Sequence, residues 1–117
     1  EKEKAVGDRL SSGPQHTGRA HVVALLSSQP IFLAEDAEAN SELMLVLEHA
    51  GQPLESIRLE SLDLPSRCDI ITQLLHAVKL LRLNGIIHAD ISAGNCCLDA
   101  EGRARLVDFG NSLLVST

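Results

Sequence analysis

Ile86-Ile87-His88-Ala89-Asp90-Ile91-Ser92-Ala93-Gly94-Asn95, followed after a short interval by Asp108-Phe109-Gly110, is the part of this chain that decides how the rest is read. Asp90 and Asn95 stand five positions apart, and Asp108 follows Asn95 by thirteen. An apolar run leads into each Asp, which places both at the ends of buried elements. Between Asn95 and Asp108 lie Cys96-Cys97-Leu98 and Arg103 to Val107, separated by Asp99-Ala100-Glu101-Gly102. Two short apolar stretches joined by four residues with a Gly predict a β-hairpin. Such a hairpin folds the interval back on itself, so that Asn95 at its entrance and Asp108 at its exit lie side by side.

The spacing suits one chemistry. Phosphoryl transfer is mostly positioning and charge stabilisation. It needs a carboxylate to orient an attacking hydroxyl and take its proton, and two further oxygen ligands to hold Mg²⁺ against nucleotide phosphates. Asp90 suits the first role, and Asn95 and Asp108 the second. Residues 86–110 resemble the catalytic loop, hairpin and D-F-G triplet of eukaryotic-type protein kinases, H-R-D-x-x-x-x-N then D-F-G. His88, Asp90, Asn95 and Asp108-Phe109-Gly110 match it, a joint occurrence expected by chance on the order of once in a million chains of this length.

The resemblance implies an α+β, partial protein-kinase-like fold and a division of the chain: 1–48 as a remnant of the N-lobe, 49–53 as the hinge, and 54–117 as the start of the C-lobe. It implies ATP and Mg²⁺ as cofactors and a protein hydroxyl as acceptor, with a Ser/Thr-type enzyme favoured. Leu47 resembles the gatekeeper position, and the Glu48 C=O and Ala50 N–H resemble the hinge groups that bond adenine. Glu3 resembles the helix Glu that pairs with the nucleotide-binding Lys, with Glu1 still open. His88, Phe109 and Gly110 take structural roles in that scheme.

The departures narrow it. Ala89 stands where most kinases have the Arg that grips an activation-loop phosphate, which argues against activation in that manner. Ser92 replaces the Lys common in Ser/Thr kinases two residues after the Asp. His88-Ala89-Asp90-Ile91-Ser92 resembles the loops of fungal kinase-like domains and RIO-type atypical kinases. The Gly-rich loop and its Lys have no counterpart, and neither end reads as a natural domain boundary. The chain is therefore expected to be a fragment or truncated gene product, inactive alone, with a partner chain completing the fold as one option. Two other readings stand beside the protein kinase: a small-molecule phosphotransferase, and a non-catalytic pseudokinase or scaffold module.

The remaining elements are read from pattern. Residues 1–10 predict a charged helix, 11–19 a loop, 20–26 a buried strand, and 31–34 a second strand after a Gln29-Pro30 turn. Residues 35–42 read as an exposed acidic hairpin loop and 43–48 as a strand. Residues 54–62 read as a short irregular helix. From Pro65 a long helix runs to Asn84-Gly85, its stripe of Ile70, Ile71, Leu74, Leu75, Val78 and Leu81 expected to be core throughout.

Composition bounds the rest. The 117 residues allow one domain or part of one, with 44% hydrophobic residues, two Phe and neither Tyr nor Trp, so Leu, Val, Ile and Ala must build the core. A net charge of −6 argues against a nucleic-acid partner. No run approaches the roughly 20 apolar residues of a membrane helix, so no membrane association is expected. Three cysteines, Cys68 and the adjacent Cys96 and Cys97, give no disulfide framework and read as buried reduced thiols. An intracellular location, cytoplasmic or nuclear, is the expectation that follows. His16, His21, His49 and His76 show no metal-ligand spacing.

Overall fold

The computed structural model describes residues 2–32 and 41–115. Helix α1, Lys2–Ser12, forms despite Gly7 and buries Val6 and Leu10. It is one turn of 3-10 helix, Thr17–His21, that follows, and not the strand expected over 20–26. Val22 then makes an isolated parallel bridge to Leu106, with the Val23 N–H donating to the Leu106 C=O at 3.0 Å. The apolar pair Val22-Val23 is thus spent on the far hairpin. The first strand proper, β1, begins at Leu25 and runs to Phe32. It passes straight through Gln29-Pro30, where a turn was expected, and pairs antiparallel with β2, Ser41–Leu47, with Pro30 opposite Leu43. A proline is tolerated there because this two-stranded sheet has only edges. Ser41 and Glu42, expected in the loop, belong to β2; most of the acidic loop, 35–40, and the end of the second expected strand lie outside the described residues.

Residues 54–62 make no continuous α-helix. They form two separate 3-10 turns, Leu54–Ser56 and Leu59–Ser61. Ser56 Oγ donates to the Pro53 C=O at 2.8 Å and Ser61 Oγ to the Arg58 C=O at 2.6 Å. Each hydroxyl offers the backbone a local partner that competes with continuing the helix. Helix α2, Leu64–Leu83, is as expected within a residue. Asp63 caps it by accepting the Ser66 N–H at 2.8 Å, and the Ser66 hydroxyl first, then this N–H, hold the Asp63 carboxyl below its ordinary pKa. Gly85 ends it at φ 68°.

The α2 stripe is core only in part. Ile70 and Leu81 are buried with Ala77 and Leu80, and Leu74 packs against that core. Ile71 and Leu75 are instead 59% and 63% exposed, and Val78 is also exposed. The stripe spans two faces of the helix, and only one meets α1, the 3-10 turn and the hairpin. Cys96 and Cys97 are buried and their thiols are pushed up in pKa, chiefly by desolvation, whereas Cys68 lies exposed on α2, contrary to expectation.

The hairpin is as expected: β5, Cys96–Leu98, pairs with β6, Ala104–Leu106, in the register Cys96 to Leu106. The short strand β3, Gln52–Pro53, adds to the other edge of β5. A further pair, β4 (Ile86–Ile87) and β7 (Leu113–Leu114), flanks the loop over residues 88–95. The core gathers Val6, Leu10, Val22, Leu80, Leu81, Ile86, Cys96, Leu106 and one ring, Phe109.

Gly18 is where the 3-10 turn meets α2 most closely. A Cβ built there would lie 1.9 Å from the His76 carbonyl oxygen and 2.4 Å from its carbon. Both obstacles are backbone, so relief requires moving the turn off the helix. Gly18→Ala is expected to destabilise the domain by about 3 kcal/mol, the upper end of overpacking costs. Urea unfolding checks it, and an unchanged midpoint would refute the close approach.

Candidate active site

The sequence DISAGN closes a tight loop after β4. Ala89 has φ 68°, a left-handed conformation that turns the chain away from the strand direction. His88 is buried and spans two segments: its Nε2 lies 2.8 Å from the Val107 C=O, and its Nδ1 accepts the Asp90 N–H at 3.2 Å. The carbonyl can only accept, so Nε2 carries a proton; Nδ1 accepts, so it carries none. His88 is therefore held as one neutral tautomer. Its ring meets Phe109 edge-on at 4.8 Å between centroids. His88 and Phe109 are structural residues at the join of the two motif segments.

Asn95 Nδ2 donates to the Asp90 C=O at 2.9 Å and to Asp90 Oδ2 at 3.0 Å. With the amide nitrogen so engaged, the Asn95 Oδ1 remains as an acceptor with no partner among the described residues. The Val107 N–H donates to the Asn95 C=O at 3.0 Å, so the residue before Asp108 is bonded to Asn95 itself. The side-by-side placement expected of the hairpin is present. Asp108 sits at φ 61° and is exposed; its Oδ1 takes the Gly110 N–H at 3.2 Å, and its Oδ2 has no hydrogen-bond partner among the described residues. One amide oxygen and one carboxylate oxygen are a hard donor set that fits Mg²⁺, which takes one or two protein ligands and completes its shell from phosphates and water. Among the described residues no three His, Cys, Asp or Glu side chains converge on a point, so no all-protein metal cage competes with that fit.

Glu3 of α1 lines a small cavity together with Leu47, Asp108 and Phe109. Residues distant in sequence, assigned to different parts of the site, thus face one space. Glu48 has a second part in the structure. Its Oε1 accepts the Ala24 N–H at 2.8 Å and lies 3.4 Å from Arg105 Nε. Arg105, nearly buried, also reaches Asp99 Oδ2 at 3.0 Å. Asp99 accepts further bonds from the Arg103 and Glu101 N–H groups, and these, the Arg103 amide first, hold its carboxyl at a pKa of about 2. The network ties the end of β2 to the turn of the hairpin. Ala50 is buried. Among the described residues neither the Glu48 C=O nor the Ala50 N–H is engaged in a backbone bond outside regular structure.

A family model of protein tyrosine and serine/threonine kinases matches residues 15–116. The chain belongs to the protein kinase family. Two relatives agree. The serine/threonine-protein kinase ppk31 of Schizosaccharomyces pombe is 36% identical over 78 residues, covering 64% of this chain and 8% of that protein. The serine/threonine-protein kinase dst4 of Dictyostelium discoideum is 34% identical over 82 residues, covering 66% of this chain and 17% of that protein. The chain thus spans less than a fifth of the length of either kinase. Its α+β architecture, two-stranded sheet with α1, then α2 and the hairpin, is that of a partial kinase-like fold. Among the described residues no helix is long and apolar enough to cross a membrane.

Two contacts, one in the candidate site and one that braces the elements around it, were not expected from sequence. Asn111, directly after the D-F-G triplet, places its Nδ2 3.3 Å from Asp90 Oδ2. Arg9 of α1 donates from Nη1 to the Gly85 C=O at 3.1 Å and the Val115 C=O at 3.1 Å, pinning α1 to the end of α2 and the segment after β7.

Proposed function

We propose that the full-length protein transfers the γ-phosphoryl group of ATP, with Mg²⁺, to a serine or threonine hydroxyl of a protein. The observation that carries this is the seating of Asn95: its amide nitrogen is committed to Asp90, its backbone is bonded to the residue before Asp108, and its side-chain oxygen has no partner among the described residues. Asp90 then acts as the base. Oδ2 is occupied by amide donors, and Oδ1, without a partner among the described residues, is the oxygen that receives the acceptor's proton. Asn95 Oδ1 and Asp108 Oδ2 would hold the metal. Bound Mg²⁺ supplies charge neutralisation on the nucleotide phosphates. The Glu48 C=O and Ala50 N–H serve adenine, Leu47 flanks it, and Glu3 takes the helix-Glu role; its place beside Asp108 and Leu47 supports that reading.

Ala89 and Ser92 favour a second reading, a small-molecule phosphotransferase, because both cationic side chains usual in this loop of Ser/Thr kinases are missing. One assay separates the two. Full-length protein with γ-labelled ATP and Mg²⁺ is offered a degenerate serine/threonine peptide library in one arm and choline-like and sugar-like alcohols in the other. Label is expected in the peptides. Label in the alcohols alone would favour the second reading, and label in neither would refute phosphoryl transfer.

A further inference from the structure

We infer that Asn111 is a positioning residue for the base Asp90, setting which carboxylate oxygen faces the acceptor; this rests on the phosphoryl-transfer reading above. The strands place it there. β4 and β7 pair with Ile86 opposite Leu114 and Ile87 opposite Leu113. That pairing runs the segments after Ile87 and before Leu113 alongside each other. Beyond it both chains turn, Ala89 at φ 68° and residues 109–112 as a bonded turn, and across the gap Asn111 Nδ2 comes within 3.3 Å of Asp90 Oδ2. The turn between is pinned on both sides of Asn111. Phe109 is buried, and buried Ser112 returns both its N–H, at 3.1 Å, and its Oγ, at 2.7 Å, to the Phe109 C=O. Asn111 and Gly110 are exposed, but the turn that carries them is anchored at buried Phe109 and Ser112, and this holds Asn111 next to Asp90.

The consequence lies in the division of the carboxylate. Asn95 Nδ2 and Asn111 Nδ2 converge on the same oxygen, Oδ2, at 3.0 and 3.3 Å, from opposite segments of the site. Donors from one side only would leave the carboxylate free to swing about its χ2 bond, which is a broad two-fold torsion. Donors from the catalytic loop and from the segment after D-F-G together fix its plane. Oδ1 is left as the proton acceptor in a defined place. Asn95 alone supplies a donor from one side only, and its Nδ2 is shared with the Asp90 C=O at 2.9 Å.

The test is a double-mutant cycle in the full-length protein, using γ-labelled ATP, Mg²⁺ and the peptide library. Asn111→Ala is expected to lower kcat about tenfold, equivalent to about 1.4 kcal/mol of barrier, with KM for ATP and peptide within about twofold. In an Asp90→Asn background the same change should alter the residual rate by less than about twofold, since no carboxylate remains to be oriented. An equal tenfold loss in both backgrounds would mean Asn111 acts through folding, and would overturn the inference. So would an unchanged kcat in the single variant while the wild type transfers phosphate. A wild-type protein that transfers nothing removes both this inference and the reading beneath it.

Discussion

Asp90→Asn is expected to slow phosphoryl transfer by about a hundred- to ten-thousandfold while leaving the domain folded. The range is that of a positioned general base. The asparagine can still take the Asn95 and Asn111 amide hydrogens on its oxygen, so the loop geometry is largely retained. It cannot accept a proton at the position now held by Oδ1. Folding should survive because Asp90 is only half-buried and His88, not Asp90, anchors the loop to Val107. Steady-state rates of the full-length wild type and variant, with urea midpoints measured alongside, decide it. Transfer within about threefold of wild type would remove Asp90 from the chemistry.

Much of the site was legible in sequence because it is local. Asp90, Asn95 and Asp108 are set by a loop and a hairpin, both short-range devices with their own residue signals. A four-residue turn after Cys96-Cys97-Leu98 was enough to bring Asn95 and the Asp108 segment together. Asn111 was not legible in the same way. Its approach to Asp90 depends on β4 pairing with β7, and a two-residue Ile-Ile run facing a two-residue Leu-Leu run is too short to announce a strand pair. Even with that pairing drawn, the turns at Ala89 and at residues 109–112 take both chains off the strand register before Asp90 and Asn111 meet. The Arg105 network shares this character, since Glu48 lies far from Asp99 and Arg105 in sequence.

The fold divides along the same line. α2 carries a cap, a first-turn Pro and a terminal Gly, and it forms where those signals stand. Residues 20–26 misled because a run of Val and Leu is as apolar when it bridges a distant hairpin as when it makes a strand; tertiary contact with Leu106 decided between them. Ile71, Leu75 and Val78 misled for the opposite reason: helical spacing reports that a face is apolar, and not what covers it.

The pairing of Asn95 with Asp108 as Mg²⁺ ligands is the central claim, and Asp108→Asn tests it most directly. A ligand that binds only the folded state stabilises it by RT ln(1 + [L]/Kd), about 2.7 kcal/mol at a hundred times Kd. Asp108 offers one carboxylate oxygen without a partner among the described residues, and replacing the carboxylate with an amide removes the charge that draws a hard cation there. Its existing bond from the Gly110 N–H can be kept by the amide oxygen, so the turn should survive. The measurement is the thermal midpoint of full-length protein with ATP, with Mg²⁺ and then with the metal chelated, for wild type and variant. The wild type is expected to gain several degrees from Mg²⁺ in the presence of ATP, and Asp108→Asn to lose nearly all of that increment while its midpoint without ligand stays within about a degree. An undiminished Mg²⁺ increment in the variant would contradict the assignment.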